Sequence, residues 1–277
     1  KTQIHQSSCN KDYTCLDGNC PAFITVIPDE NRPAKQQKTY VVDRDIPEAV
    51  RRVNGNTNIF LMGIGGTGVV TSNQIIGTAA VLDGFYISAL DQTGLSQKGG
   101  PVASNLKISD TPIDMSSKVA NGTTDAFLVF DVLTATSPKN LMRANPNRSV
   151  AIVSTSKVPT GAMVRDTTVQ FPEKDHLLEI INRQTMAGDN VYFDAVGLAE
   201  ALFDNHMMAN MIVIGAAYQS GTLPMSADAI EQAIELNGVK VEVNQNAFRV
   251  GRLLVADPDW LASLDLERKG QIEIKPE

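Results

Sequence analysis

Asn58-Ile59-Phe60-Leu61-Met62-Gly63-Ile64-Gly65-Gly66-Thr67-Gly68-Val69-Val70 is the stretch on which the fold turns. Ile59 to Met62 is an apolar run of the length of a short buried strand. Beyond the glycines, Val70, Ile75, Ala79 and Leu82 recur at helical spacing, and Asp83-Gly84 supplies a stop. Strand, Gly63-x-Gly65-x-x-Gly68, helix is an arrangement that binds phosphates. Glycine lets the backbone turn tightly against an anion, and the helix N-terminus offers free N–H donors and a partial positive charge. The same glycines would also serve close strand–helix packing, and spacing alone leaves both readings open.

Working outward, Phe85–Leu90, Val102–Ile108, Ala126–Phe130 and Ser149–Val153 read as strands. Ser137–Ala144, Ser226–Leu236 and Ala247–Leu254 read as helices, and Asp194–Tyr218 as one or two more. Strands alternating with helices across short turns predict an α/β fold: three layers around a Rossmann-like, mostly parallel sheet. Asp91 ends the second strand, roughly where a nicotinamide-dependent dehydrogenase places its ribose-binding acid. Gly63, Gly65, Gly68 and Asp91 therefore support an NAD(P)-binding alternative. The segment from Gln92 to Pro101 is polar and glycine-rich. Thr93, Gln97, Lys98, Gly99 and Gly100 offer hydroxyl, amide, cationic and open-backbone contacts to an anion, although a solvated surface loop has the same composition.

The chain has 277 residues, with 24 basic and 31 acidic side chains and a net charge of −7. A hydrophobic content of 43% with 20% charged residues describes a folded protein and excludes a disordered or collagen-like one. The acidic balance argues against nucleic acid or an anionic membrane as partner, since both call for a cationic surface. No uncharged apolar run reaches the roughly 18–20 residues that cross a bilayer. The polar start at Lys1 has no apolar signal region, so a cytoplasmic location is expected, and the chain reads as a piece of a larger protein.

Cys9, Cys15 and Cys20 are the only cysteines. The organisation expected is a Cys-bearing segment over 1–27, a linker over 28–57, the α/β domain over 58–265 and a polar tail over 266–277. Three clustered thiolates suit a soft metal. Disulfides and a structural zinc are the alternatives, and a closed tetrahedral site would need a fourth ligand from outside the chain or from His5 or Asp12. His5, His176 and His206 show no metal-ligand spacing. Met207, Met208 and Met211 read as core filling. Asp194 and Glu200, six apart, do not share a helix face.

The glycine turn Gly63 to Val69, followed by Asp91-Gln92-Thr93-Gly94-Leu95-Ser96-Gln97-Lys98-Gly99-Gly100, resembles the gamma-type domain of the 2-oxoacid:ferredoxin oxidoreductases, nearest the fused indolepyruvate ferredoxin oxidoreductases. The likeness continues through Val158-Pro159-Thr160-Gly161, Asn210, Gly221-Thr222-Leu223-Pro224, Asn246-Ala247-Phe248 and Gly251, and so covers most of 58–255. Smaller relatives often carry arginine where this chain has Lys98, which changes a bidentate anion contact into a point charge. Ser7-Ser8-Cys9 through Cys15 and Cys20-Pro21 is similar to the end of the ferredoxin-like region of the fused enzymes. The resemblance implies Cys9, Cys15 and Cys20 as ligands of a 4Fe–4S cluster.

What the resemblance implies for function is oxidative decarboxylation of an aryl 2-oxoacid to an acyl-CoA, with electrons passing to ferredoxin. The cofactors implied are thiamine diphosphate with Mg, coenzyme A and iron–sulfur clusters. No Gly-Asp-Gly thiamine motif is present, so the thiamine-binding domains of the parent enzyme are expected elsewhere and the chain is expected to be inactive alone. Gly63, Gly65, Gly66 and Gly68, with Thr93 and Gln97–Gly100, would face the thiamine site or the coenzyme A phosphates. A homo-oligomer is expected. A non-catalytic assembly domain is the further alternative.

Overall fold

In the computed structural model the described residues are 2–4, 23–25, 39–93, 100–160, 163, 166 and 168–264. The chain divides into two units, Lys1–Gln37 and Lys38–Glu277. The first contains an antiparallel pair, β1 (Thr2–Ile4) and β2 (Phe23–Thr25), in which Thr2 pairs with Thr25 and Ile4 with Phe23. Cys9, Cys15 and Cys20 lie outside the described residues.

The second unit is built on β3 (Thr57–Ile64), whose alternation divides its side chains between two cores. Ile59 and Leu61 enter one, and Phe60 and Met62 the other. The period of two along a strand forces this split, and helices on both faces allow both sets to be apolar. After the glycine turn comes α1 (Val69–Leu82), with the same bounds that the spacing predicts. It is followed by β4 (Tyr86–Thr93), β5 (Pro101–Ser109), β6 (Ala126–Val129), α2 (Val132–Ala135), α3 (Pro138–Leu141) and β7 (Val150–Ser154). Next are α4 (Lys174–Asn182), β8 (Val191–Phe193) and α5 (Ala195–Phe203). The chain continues as α6 (Ala209–Gln219), α7 (Ala227–Asn237), α8 (Val241–Ala256) and α9 (Pro258–Ser263). The helix expected over Ser137–Ala144 is the single turn α3. The expected long helical region is α5 and α6, separated by a 3₁₀ turn at His206–Met208.

The sheet order is β4-β5-β3-β6-β7-β8. Its pairings from β3 to β8 are parallel, while β3–β5 and β4–β5 are antiparallel. The α/β, mostly parallel expectation holds, with one difference: β5 stands between β3 and β4. Fewer than ten residues link β4 to β5, too few for a parallel crossover, so the chain returns antiparallel beside β3. The face of Ile59 and Leu61 is covered by α1 and the C-terminal helices, and that of Phe60 and Met62 by α2 and α4.

Two helices of the first face meet backbone to backbone. A Cβ on Gly215 of α6 would sit 2.0 Å from the Phe248 carbonyl oxygen, and one on Gly251 of α8 would sit 2.0 Å from that of Ile212. Within the expected linker, residues 39–56 have no helix or strand but are strapped to this layer. Tyr40 N–H donates to the Leu202 carbonyl (3.1 Å), and Arg52 N–H to that of Gly221 (2.8 Å). Arg252 donates through Nη2 to the Pro47 carbonyl (3.3 Å) and through Nε to Gln219 Oε1 (3.1 Å).

Candidate functional site

Adjacent parallel strands β3 and β6 send their chains to opposite faces, β3 into α1 and β6 into α2. This is the switch point at which open α/β sheets leave a crevice beyond the strand ends. The glycine turn is one lip. Phe130 and Asp131, which follow β6, form the other, and Phe130 N–H donates to the Met62 carbonyl (2.9 Å).

Each glycine of the turn does something different. A Cβ on Gly63 would come 2.7 Å from Val69 Cγ2 and 3.0 Å from Phe130 Cβ, so Gly63 serves close packing. Gly66, at φ 87°, turns the chain with no described atom within 4 Å of where a Cβ would sit, and Gly68, at φ 89°, sits just before α1. Gly65 N–H is held by the Gly100 carbonyl at 2.7 Å. Thr67 folds back, its Oγ1 donating to the Ile64 carbonyl at 2.6 Å. Asn210 of α6 donates through Nδ2 to the Thr67 carbonyl and packs where a Gly68 side chain would go. The turn is thus pinned from both sides. Two of its N–H groups, those of Gly65 and Thr67, are committed internally, while among the described residues no side chain caps the start of α1. That uncapped end fits an anion; the pinned part fits a packing role.

Of the site residues expected from sequence, the structure brings Gly63, Gly65, Gly66, Gly68 and Gly100 together. Thr93 ends β4, paired with Val102. Gln97, Lys98 and Gly99 lie outside the described residues, as do the three cysteines.

Asp91 is placed against the dinucleotide alternative. Its Oδ1 accepts from Asn73 Nδ2 of α1 (2.9 Å) and from Ser104 Oγ of β5 (2.5 Å). With β5 interposed, β4 stands two strand spacings from β3, on the order of 10 Å, where a ribose acid would stand one spacing away.

Asp131 is the site residue that sequence reading missed. It is 3% exposed, and its Oδ1 accepts from Thr134 N–H at 2.7 Å. Its Oδ2 is buried with no partner among the described residues. Burial pushes its pKa above the ordinary carboxyl value, against the lowering effect of the Thr134 hydrogen bonds. A single aspartate after an apolar run carries no motif; the only signal was its place at a strand end. His176 and His206 are exposed, Met208 and Met211 are core residues, and Met207 is on the surface. Among the described residues no group of three His, Cys, Asp or Glu could hold a metal ion, and no helix is long and apolar enough to cross a membrane.

Comparison with known proteins agrees with this geometry. The family described as "Pyruvate ferredoxin/flavodoxin oxidoreductase" matches residues 58–254. The "Indolepyruvate oxidoreductase subunit IorB" of Methanothermobacter thermautotrophicus is 28% identical over 202 residues, 71% of this chain and 96% of the relative. The "Pyruvate/ketoisovalerate oxidoreductases common subunit gamma" of Pyrococcus furiosus is 26% identical over 191 residues, 68% of this chain and 90% of the relative. The crystal structure of the pyruvate oxidoreductase subunit PORC of Thermotoga maritima shares the fold, with TM-score 0.51 and 22% identity over 72% of this chain and 96% of that one. So does the 2-oxoglutarate:ferredoxin oxidoreductase of Magnetococcus marinus, with TM-score 0.54 and 17% identity over 73% of this chain and 31% of that one. The chain belongs to the pyruvate ferredoxin/flavodoxin oxidoreductase family, as a gamma-type component of the 2-oxoacid:ferredoxin oxidoreductases.

Proposed function

We propose that the chain is the gamma-type module of an indolepyruvate-type oxidoreductase, closing over chemistry carried by thiamine-binding domains. The glycine turn and the 97–100 loop face the thiamine site or the coenzyme A phosphates. The observation that carries this reading is the Gly65–Gly100 hydrogen bond, which ties the end of the second glycine-rich segment to the turn at the switch point. Asp131 stands on the other lip, with its Oδ2 buried and unpartnered among the described residues. The likeness to IorB supports an aryl 2-oxoacid as substrate. The chain's own part is to bind, orient and exclude water, while thiamine diphosphate supplies the decarboxylation chemistry.

Residues 1–27 are proposed as the end of an iron–sulfur segment, with Cys9, Cys15 and Cys20 ligating a 4Fe–4S cluster that passes electrons to ferredoxin. Residues 28–57 are proposed to join this segment to the 58–265 domain, ahead of the polar tail 266–277. An assembly role is supported by β4, an edge strand exposed along nearly its whole length, with Tyr86, Ile87 and Leu90 at 49, 37 and 37% exposure. A homo-oligomer or a partner subunit would cover it, and a cytoplasmic enzyme is the setting proposed.

The test is reconstitution with a thiamine-binding partner chain and an aryl 2-oxoacid, reading ferredoxin reduction and acyl-CoA. Gly65→Val is expected to lower acyl-CoA formation while the thermal midpoint stays put. Unchanged turnover would overturn the reading, and an unfolded variant would assign the glycine to packing. Saturable NAD(P) binding would restore the dehydrogenase alternative.

A further inference from the structure

A cavity of about 350 Å³ opens on the Phe60 face of the sheet, away from α1. Its apolar side is Phe60, Pro101 and Ala103, which lie on β3 and β5. Among the described residues three cations line it: Lys118, from the segment between β5 and β6, and Lys139 and Arg143, from α3 and the turn after it. Gln92, Thr93 and Asn140 complete it with neutral polar groups.

The charge pattern is the anomaly. The chain carries 31 acidic against 24 basic residues, yet among the described residues none that line the cavity is acidic. Other cations are paired: Arg44 with Asp257, Arg148 with Asp125, Arg249 with Glu231. Lys118 and Lys139 have no ion pair among the described residues. Arg143 uses Nη1 on the Val119 carbonyl, but its Nε is buried with no partner among the described residues. A buried donor without an acceptor costs free energy, and like charges converging on one concavity repel. An anion entering the cavity would relieve the repulsion.

The number and kind of donors select the anion. Two lysines act as compact point charges, and a guanidinium offers directional N–H groups, a set that matches a phosphoryl group carrying close to two negative charges better than a single carboxylate. The apolar side and the volume suit a small organic body attached to it. Asn140, 4% exposed and anchored by Nδ2 to the Thr134 carbonyl at 2.8 Å, holds the segment that carries Lys139 and Arg143.

We propose that this cavity is a second anion site, taking the phosphoryl group of a small organic phosphate against Lys118, Lys139 and Arg143, with its apolar body on Phe60, Pro101 and Ala103. It lies on the opposite side of β3 from α1, shares only Thr93 with the glycine-turn proposal, and does not rest on that proposal.

Calorimetric titration of the full chain tests it, with AMP and inorganic phosphate as probes and indole-3-acetate as the carboxylate control. AMP is expected to bind saturably and more tightly than phosphate, and to weaken as salt is added. The double variant Lys118→Ala/Lys139→Ala, at two exposed positions, is expected to weaken AMP at least about tenfold. An unchanged thermal midpoint checks the fold. No saturable AMP binding at millimolar concentration would overturn the proposal. So would AMP affinity unchanged in the double variant, which would move the nucleotide to the glycine turn, or indole-3-acetate binding as tightly as AMP. No partner chain or turnover enters the measurement, so its failure is distinct from failure of the proposed function.

Discussion

Asp131 shows how a single side chain can be invisible in sequence and prominent in space. Burial holds its folded pKa above the unfolded value, so the carboxylate penalises folding once it ionises. That penalty is absent below the ordinary carboxyl pKa near 3.8 and grows as pH rises through the folded value. Asp131→Asn, which keeps an oxygen for the Thr134 N–H, should therefore be more stable than wild type at neutral pH, and the gap should close on acidification. Denaturant melts at pH 3 to 8 read this directly. A gap that widens on acidification would contradict the burial argument. Gly66 is the converse case, legible in sequence because only a residue free of Cβ adopts φ 87° readily. Among the described residues Gly66→Ala meets no clash, so it should cost only the conformational term, about 1–2 kcal/mol in a chemical melt.

Among the elements, the α6–α8 crossing carries the sharpest dependence on sequence. Gly215 and Gly251 each face the partner helix's carbonyl oxygen at a distance no Cβ tolerates. The obstacle is backbone rather than a flexible side chain, so the helices themselves must separate. Gly251→Ala is expected to cost about 3 kcal/mol, well beyond the Gly66 variant, although it adds the same methyl group. Equal losses at the two positions would show that the crossing is not this tight. Sequence alone marks Gly251 through family likeness, and its periodicity looks like any glycine in a helix. Only the crossing gives the reason. The hairpin of β4 and β5 was readable as two strands but not as a hairpin, because direction depends on what the chain returns to pair with.

Across the whole molecule, the strap over 39–56 ties the chain before the sheet to the helices after it. Tyr218 donates its hydroxyl to Glu48, and Arg252 stacks over the Tyr218 ring at 5.0 Å. The Arg252–Glu48 ion pair spans 3.6 Å, but Glu48 is 74% exposed, so screening leaves it little weight. The stacking and the bonds to Pro47 and Gln219 dominate. Arg252→Ala should therefore cost about 2–3 kcal/mol, a loss that added salt leaves nearly unchanged. Tyr218 is pushed up to about 12, first by burial and then by Glu48, with Arg252 opposing. Its neutral form stabilises the fold fully below pH 10, and that contribution is lost as pH rises through about 12. The stability difference between wild type and Tyr218→Phe should narrow over that window in alkaline melts.

The sequence by itself determined the α/β class, the strand–glycine turn–helix unit and the family, because periodicity and glycine placement are local properties written along the chain. Only the tertiary structure decided that β5 lies between β3 and β4, that Asn210 pins the glycine turn, that Asp131 is buried just beyond β6, and that Lys118, Lys139 and Arg143 share a cavity. Those facts join residues far apart in sequence. Pairing partner and burial are set by the packed whole, and no local pattern encodes them.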